Sequence, residues 1–420
     1  MTTPRLTEPG VLPSQMIVGA IKDGWITASD GSAIPDGNVQ PASLDLRLGS
    51  VAYRLRCSFL PNDEPVEDAL RRYKADERTP LRQTGMVLEP RRPYLIPLIE
   101  QLALPDGVRA KANPKSSTGR LDIFTRVISD NCFSFDEIND GYHGRLYLEV
   151  MTRTFPIRIV PGLALNQLRL MVGNTTLSDE EIVELHAKTP LLYREGQPRD
   201  PGEVIASNGL LVGLDIERPG GLVGYSAKDD TRVIDLSNVN AYPPRWFWDE
   251  VTAEPSDHGA RIVLRPERFY LLLSLDNIKI PPEYAVEMTP FDPTNGELRT
   301  HYAGFFDPGF GYDPLDPDYP GSRAALEVRA HDVPFAVEHG QNICKLSFER
   351  MIEPPDRLYG AVLRSNYQGQ EIALSKHFRR EKRDGPLPQD LAEDSFPADP
   401  DQASLFSIEE VRPELNGIRH

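Results

Sequence analysis

Apolar and polar positions alternate along this chain with a period of two more often than with a helical period. Ser43 to Gly49 (SLDLRLG), Val51 to Leu55 (VAYRL), Arg145 to Val150 (RLYLEV) and Pro156 to Val160 (PIRIV) all read this way. Side chains on an extended strand point to alternate faces, so the pattern predicts half-buried strands. Turn residues separate them at short intervals. Together these predict a mainly β fold of barrel or jelly-roll type with a few short helices. Residues 14–26 break the alternation, with Met16, Ile17, Ala20 and Ile21 on one stripe. That predicts a helix capped by Ser14 and stopped at Gly24. Residues 178–188 (SDEEIVELHAK) predict another, with Ser178 and Glu181 spaced as a capping box. Residues 191–203, rich in Pro and Gly, read as a polar connector.

The second half of the chain replays the first. Leu211 to Tyr225 follows the pattern of SLDLRLGSVAY, Pro266 to Met288 that of Arg91 to Ala112, and Ala324 to Glu349 that of Leu146 to Leu170. The repeat is far longer than a solenoid unit, so each copy is expected to be a domain, over residues 1–200 and 201–378. Residues 379–420 are charged, proline-rich and aperiodic. They predict a mobile tail, with SLFSIEEVRPEL as a short docking helix in the alternative.

Composition narrows the function classes. Of 420 residues, 46 are basic and 63 acidic, a net charge of −17, which argues against a nucleic-acid-wrapping surface. A small anionic ligand needs only a few local cations and is not excluded. Cys57, Cys132 and Cys344 are far apart without CxxC spacing, as in a reducing compartment. No secretory signal is visible at Met1 to Gly10, and no apolar run reaches the ~20 residues of a membrane helix. A cytoplasmic protein with no membrane partner is expected.

One segment carries the clearest chemistry. Asn113 to Val127 (NPKSSTGRLDIFTRV) brings Lys115, Ser116, Ser117, Gly119 and Arg120 within six residues. Short hydroxyl donors, an accessible backbone and a guanidinium fork suit a phosphate, although a Walker A loop is absent and a solvated turn would read similarly. This segment resembles the phosphate-binding motif of the dCTP deaminase/dUTPase superfamily. Gln40 to Gly49 (QPASLDLRLG) is similar to the strand that opens the dCTP deaminase fold. Thr300 to Tyr312 (THYAGFFDPGFGY) resembles the motif that holds sugar and base, and Tyr359 to Gln370 (YGAVLRSNYQGQ) looks like the C-terminal lid.

The resemblance implies two tandem dUTPase-like domains and a zinc-independent dCTP deaminase, a hydrolase acting on a cyclic amidine to give dUTP and ammonia. It implies Glu327 as the catalytic glutamate, with Ser116 and Arg120 orienting it and its water. Lys115, Ser116, Ser117, Arg120, Ala303, Asp307, Ala325, Tyr359, Asn366 and Gln370 would bind substrate; Asn366 stands where the family has a lysine. Mg²⁺ would ride on the triphosphate, with no metal site in the protein, and a homo-oligomer is implied. The halves have decayed in complementary ways. The first keeps the phosphate segment but has no DPG; the second keeps AGFFDPGF and the lid but lacks the serine pair. One hybrid site is therefore expected, with Glu149, the first-half echo of Glu327, as the alternative glutamate. dUTP diphosphate hydrolysis, alone or after deamination, and a non-catalytic nucleotide sensor are the competing functions. No HxE…CxxC is present, which excludes the zinc deaminase route.

Overall fold

In the computed structural model the described residues are 8–380, apart from 74–77, 219, 258, 291–297, 301–303, 317, 331 and 361–372. Residues up to Arg379 form one compact unit. The charged-tail expectation concerns residues that, from 381 onward, lie outside the described ones.

Strand pairing repeats between the halves. In the first, His143–Thr152 lies between Tyr94–Ala103 and Ile123–Ser129, with Glu149 opposite Leu95. In the second, Ser322–Ala330 pairs with Phe269–Ile278, with Glu327 opposite Leu271. Ala164–Val172 pairs with both Leu44–Arg47 and Val108–Pro114. Its counterpart Asn342–Arg350 pairs with both Leu210–Gly213 and Tyr284–Pro290. Even the irregularity repeats, a register shift opposite Arg47 in one copy and Gly213 in the other. The main sheets have five and six strands in the first half and seven and four in the second, and each pair encloses an apolar core.

Alternation along the glutamate strands decides what faces what. Leu326 and Val328 enter the second core, which leaves Ala325, Glu327 and Arg329 on the opposite face. On the neighbouring strand, Phe269, Leu271 and Leu273 join the first-half core across the junction. An aromatic cluster of Phe155, Phe247, Trp248, Phe269 and Phe378 seals it, with centroids 5.2–6.1 Å apart. Ile234–Asp235 extends the seal as a parallel partner of Ile157–Ile159. In the first half, the face bearing Tyr147 and Glu149 is covered differently. Leu55, Phe59, Val66 and Leu70, from an excursion that includes a helix at Val66–Arg72, form a separate cluster there.

Two local expectations are revised and one holds. The first helix runs Ser14–Lys22, and its cap position is Pro13, not Ser14. The Ser14 hydroxyl instead donates to the Gln15 side chain, and proline's fixed φ provides the extended residue that starts the helix. The second helix keeps its capping box, with Ser178 and Glu181 satisfying each other's backbone amides. Residues 191–203 are not only a connector. Leu192–Arg194 and Gln197–Pro198 form a hairpin that adds to the Phe269–Ile278 strand. Glu195 and Gly196 at its turn both have positive φ.

Candidate functional site

The phosphate-like segment folds as one helical turn, Ser116–Gly119, entered through an extended Lys115. The turn is closed by the Thr118 and Gly119 amides donating to the Lys115 carbonyl. From the second half, the loop after Phe305–Phe306 and the Ser322–Ala330 strand approach the same turn. Lys115, Ser116, Gly119, Arg120, Asp307, Ala325, Glu327 and Tyr359 line one cavity, with Phe305, Phe306, Phe310 and Met288 as its apolar wall. Ser117 is buried beside it and contributes its carbonyl, which accepts from the Ser375 hydroxyl at 3.0 Å. Ala303, Asn366 and Gln370 lie outside the described residues.

Glu327 is almost fully buried and abuts the turn itself. A Cβ built on Gly119 would sit 2.4 Å from Glu327 Oε2, so only glycine there lets the carboxyl approach. Burial pushes the Glu327 carboxyl up to about 8; nearby Arg120 opposes the shift and nearby Asp122 adds to it. Arg120 is itself buried, and its Nη1 donates to the Ala373 carbonyl at 3.2 Å. Lys115 forms an ion pair with Asp45, from the QPASLDLRLG strand. Burial raises the Asp45 carboxyl pKa, and the Lys115 ammonium pulls against that.

Asp307 occupies the other end. Its carboxyl is pushed up to about 6 by burial, with Arg169 acting in the opposite direction. Asp307 Oδ1 is buried and has no hydrogen-bond partner among the described residues, with the Arg169 guanidinium 3.9 Å away. Gly311, at φ 65°, makes the DPGFG turn possible: a Cβ there would collide with the Ile278 carbonyl at 1.9 Å. Tyr359 donates its amide to Pro308 and packs on Phe310 at 5.6 Å, anchoring the segment where the lid resemblance begins.

No sequence signal marked Arg169. It comes from the first half, is fully buried, pairs with Glu349 at 2.6 Å and lies 3.9 Å from both Asp307 and the Phe305 ring. Ser375 is likewise invisible to motif reading, because it matters only through the turn it docks on. Glu149, the alternative glutamate, lies outside the cavity; Arg126 holds it at 2.5 Å and stacks on Phe135. A larger groove near Arg194, Arg323 and His339 has its arginines engaged by Asp276 and Asp215.

Residues 8–174 match the family described as the 2′-deoxycytidine 5′-triphosphate deaminase N-terminal domain. Residues 178–378 match its C-terminal domain. A crystal structure of 2′-deoxycytidine 5′-triphosphate deaminase from Agrobacterium tumefaciens is 43% identical, with a TM-score of 0.77, covering 84% of this chain and 99% of that one. A protein of Haloarcula marismortui named dCTP deaminase is 33% identical over 137 residues, 32% of this chain and 66% of its own length. One of Sulfurihydrogenibium named dCTP deaminase, dUMP-forming, is 29% identical over 140 residues, 32% of this chain and 70% of its own length. The chain thus spans about two thirds of these curated relatives. No helix among the described residues is long and apolar enough to cross a membrane.

Proposed function

The chain belongs to the 2′-deoxycytidine 5′-triphosphate deaminase family, and on that footing we propose that it converts dCTP and water to dUTP and ammonia at the junction of its halves. The observation that carries this reading is the buried Glu327 carboxyl held against Gly119 and Arg120, with Lys115 and Ser116 lining the same cavity. Lys115, Ser116, Ser117 and Arg120 would take the triphosphate end, with Mg²⁺ arriving as part of the nucleotide. The free acceptor of Asp307 suits the deoxyribose hydroxyl. Ala325 and the phenylalanine wall would flank the base, and Tyr359, with Ala303, Asn366 and Gln370, would complete the pocket.

With its pKa near 8, Glu327 holds its proton at neutral pH. In that form it can protonate the cytosine ring nitrogen, and as the resulting carboxylate it can take a proton from water adding at C4. Glu327 then passes that proton to the amine, the C4–N bond breaks to release ammonia, and the C4 hydroxyl gives its remaining proton to the Glu327 carboxylate, which leaves the uracil carbonyl and restores the acid. Ser116 and Arg120 orient the carboxyl and the water. An apolar, closing pocket keeps competing solvent away from C4. A homo-oligomer in the cytoplasm is part of this proposal.

The test is a panel of deoxynucleotides, with and without Mg²⁺, assayed for ammonia and pyrophosphate. Ammonia from dCTP is expected, and Glu327→Gln should abolish its release while nucleotide binding persists. Full activity in that variant would overturn the role of Glu327. The dUMP-forming relatives make pyrophosphate the second readout: its release from dUTP would extend the reading to a bifunctional enzyme, and tight binding without turnover would favour a sensor.

A further inference from the structure

The strand that presents Glu327 presents another charge two residues on. Arg329 shares its face, and its guanidinium crosses the junction to form an ion pair with Asp122. Both are buried, at 2% and 0% exposure. Asp122 follows Arg120 by two residues, with a left-handed backbone (φ 57°) that turns the chain into the Ile123–Ser129 strand. The Thr154 hydroxyl donates to Asp122, and Arg329 also donates to Thr154 Oγ1 at 3.1 Å and to the Glu267 carbonyl. Neither Asp122 nor Arg329 lines the cavity.

We propose that Asp122, clamped by Arg329 across the junction and bonded through its amide to the Gly119 carbonyl, is a positioning residue for Glu327. This rests on Glu327 being the catalytic carboxyl. The charged groups around Glu327 are few. Arg120 reaches it from the helical turn and Asp122 from the loop beyond. Arg329 stands on its own strand, with the Glu267 carboxylate 3.8 Å from it and Arg153 3.6 Å from Glu267, and Lys115 and Asp307 line the cavity. The neighbouring strand opposes it with apolar Leu271, and Gly119 brings only backbone. Without Asp122, Arg329 would keep only the half-exposed Glu267 carboxylate at 3.8 Å, among the described residues, and would favour the ionised form of Glu327. Asp122 takes up the guanidinium, and its own charge repels a carboxylate at Glu327. The fold does not need the pair for its own sake. At the equivalent strand position the first half carries Met151, and buried ion pairs commonly stabilise no more than apolar packing does.

The test is Asp122→Asn, which preserves size, tolerates a left-handed backbone and removes the charge. The measurements are the pH profile of kcat/KM for ammonia release, KM for dCTP, and the Glu327 carboxyl titration by ¹³C NMR in the full-length protein. The Glu327 titration and its limb of the profile should move to lower pH by about one unit or more, with KM within about twofold. A fall in thermal midpoint with an unmoved titration would show a purely structural pair and overturn the proposal. If Asp122→Asn folds poorly, the double variant Asp122→Asn/Arg329→Gln supplies a neutral hydrogen-bonded pair. A smaller shift in the same direction is expected there, and no shift would again overturn it. If the wild-type protein releases no ammonia from any nucleotide, the functional reading falls, and the NMR titration still decides whether Asp122 tunes Glu327.

Discussion

At the scale of single residues, contact geometry around Gly119 sets a hard limit. The glycine lies in a one-turn helix, where alanine would otherwise be the better helix former. Its missing side chain is filled by the Glu327 carboxyl. Gly119→Ala should therefore leave folding nearly unchanged but push Glu327 aside. A misplacement on the order of 1 Å can cost about 10²-fold in rate, so kcat for ammonia release should fall by about that factor. The comparison to make is kcat against the thermal midpoint. A variant with wild-type kcat would show that Glu327 does not work from this position.

At the scale of elements, the return segment 373–378 is docked directly on the phosphate-like turn. Ala373 accepts from Arg120, Ser375 donates to Ser117, and the Ser375 hydroxyl lies 3.0 Å from His377 Nδ1. Phe378 locks the far end into the aromatic seal. Burial, reinforced by Lys376, pulls the His377 imidazole from its usual 6.5 down to about 4. The unfolded chain therefore binds a proton that the folded one refuses. Stability from this group is fully present above about pH 6.5 and is lost as pH falls toward 4. Thermal unfolding at pH 7.5 and pH 5 should show a smaller acid loss in His377→Gln than in the wild type. Equal losses in both would exclude His377 as a source of acid sensitivity.

At the scale of the whole molecule, the halves are joined by apolar packing that carries buried charge across it. Arg169 pairs with Glu349, Lys111 with Glu287 at 2.5 Å, and Arg329 with Asp122. Each pair takes one member from each half. Such pairs add little net stability, but removing one member leaves the other as an uncompensated buried charge. Arg169→Met strands Glu349, which the guanidinium holds at 2.6 Å. A loss of about 3–5 kcal/mol in urea denaturation is expected. A loss below about 1 kcal/mol would mean that Glu349 is not held by Arg169.

The sequence by itself determined the mainly β class, the duplication and both motif sets, because each is written locally. Period-two alternation reports a strand with two environments, and the KSSTGR and DPGFG segments keep their chemistry within a few neighbours. Its local rules failed at Ser14, where proline supplies the entry, and at 191–203, where a hairpin gains its stability from the sheet it joins. Only the tertiary structure decided which charges meet. Glu327 and Glu149 occupy equivalent strand positions. One faces Gly119 and Arg120 across the junction, and the other pairs with Arg126 beneath the Val66–Arg72 excursion. Arg169 lies in no motif, and Asp122, although inside the Asn113 to Val127 segment, shows no role there, since their importance comes from partners well over a hundred residues away. Burial is what turns those partners into pKa shifts, and burial is a property of the assembled fold rather than of any segment.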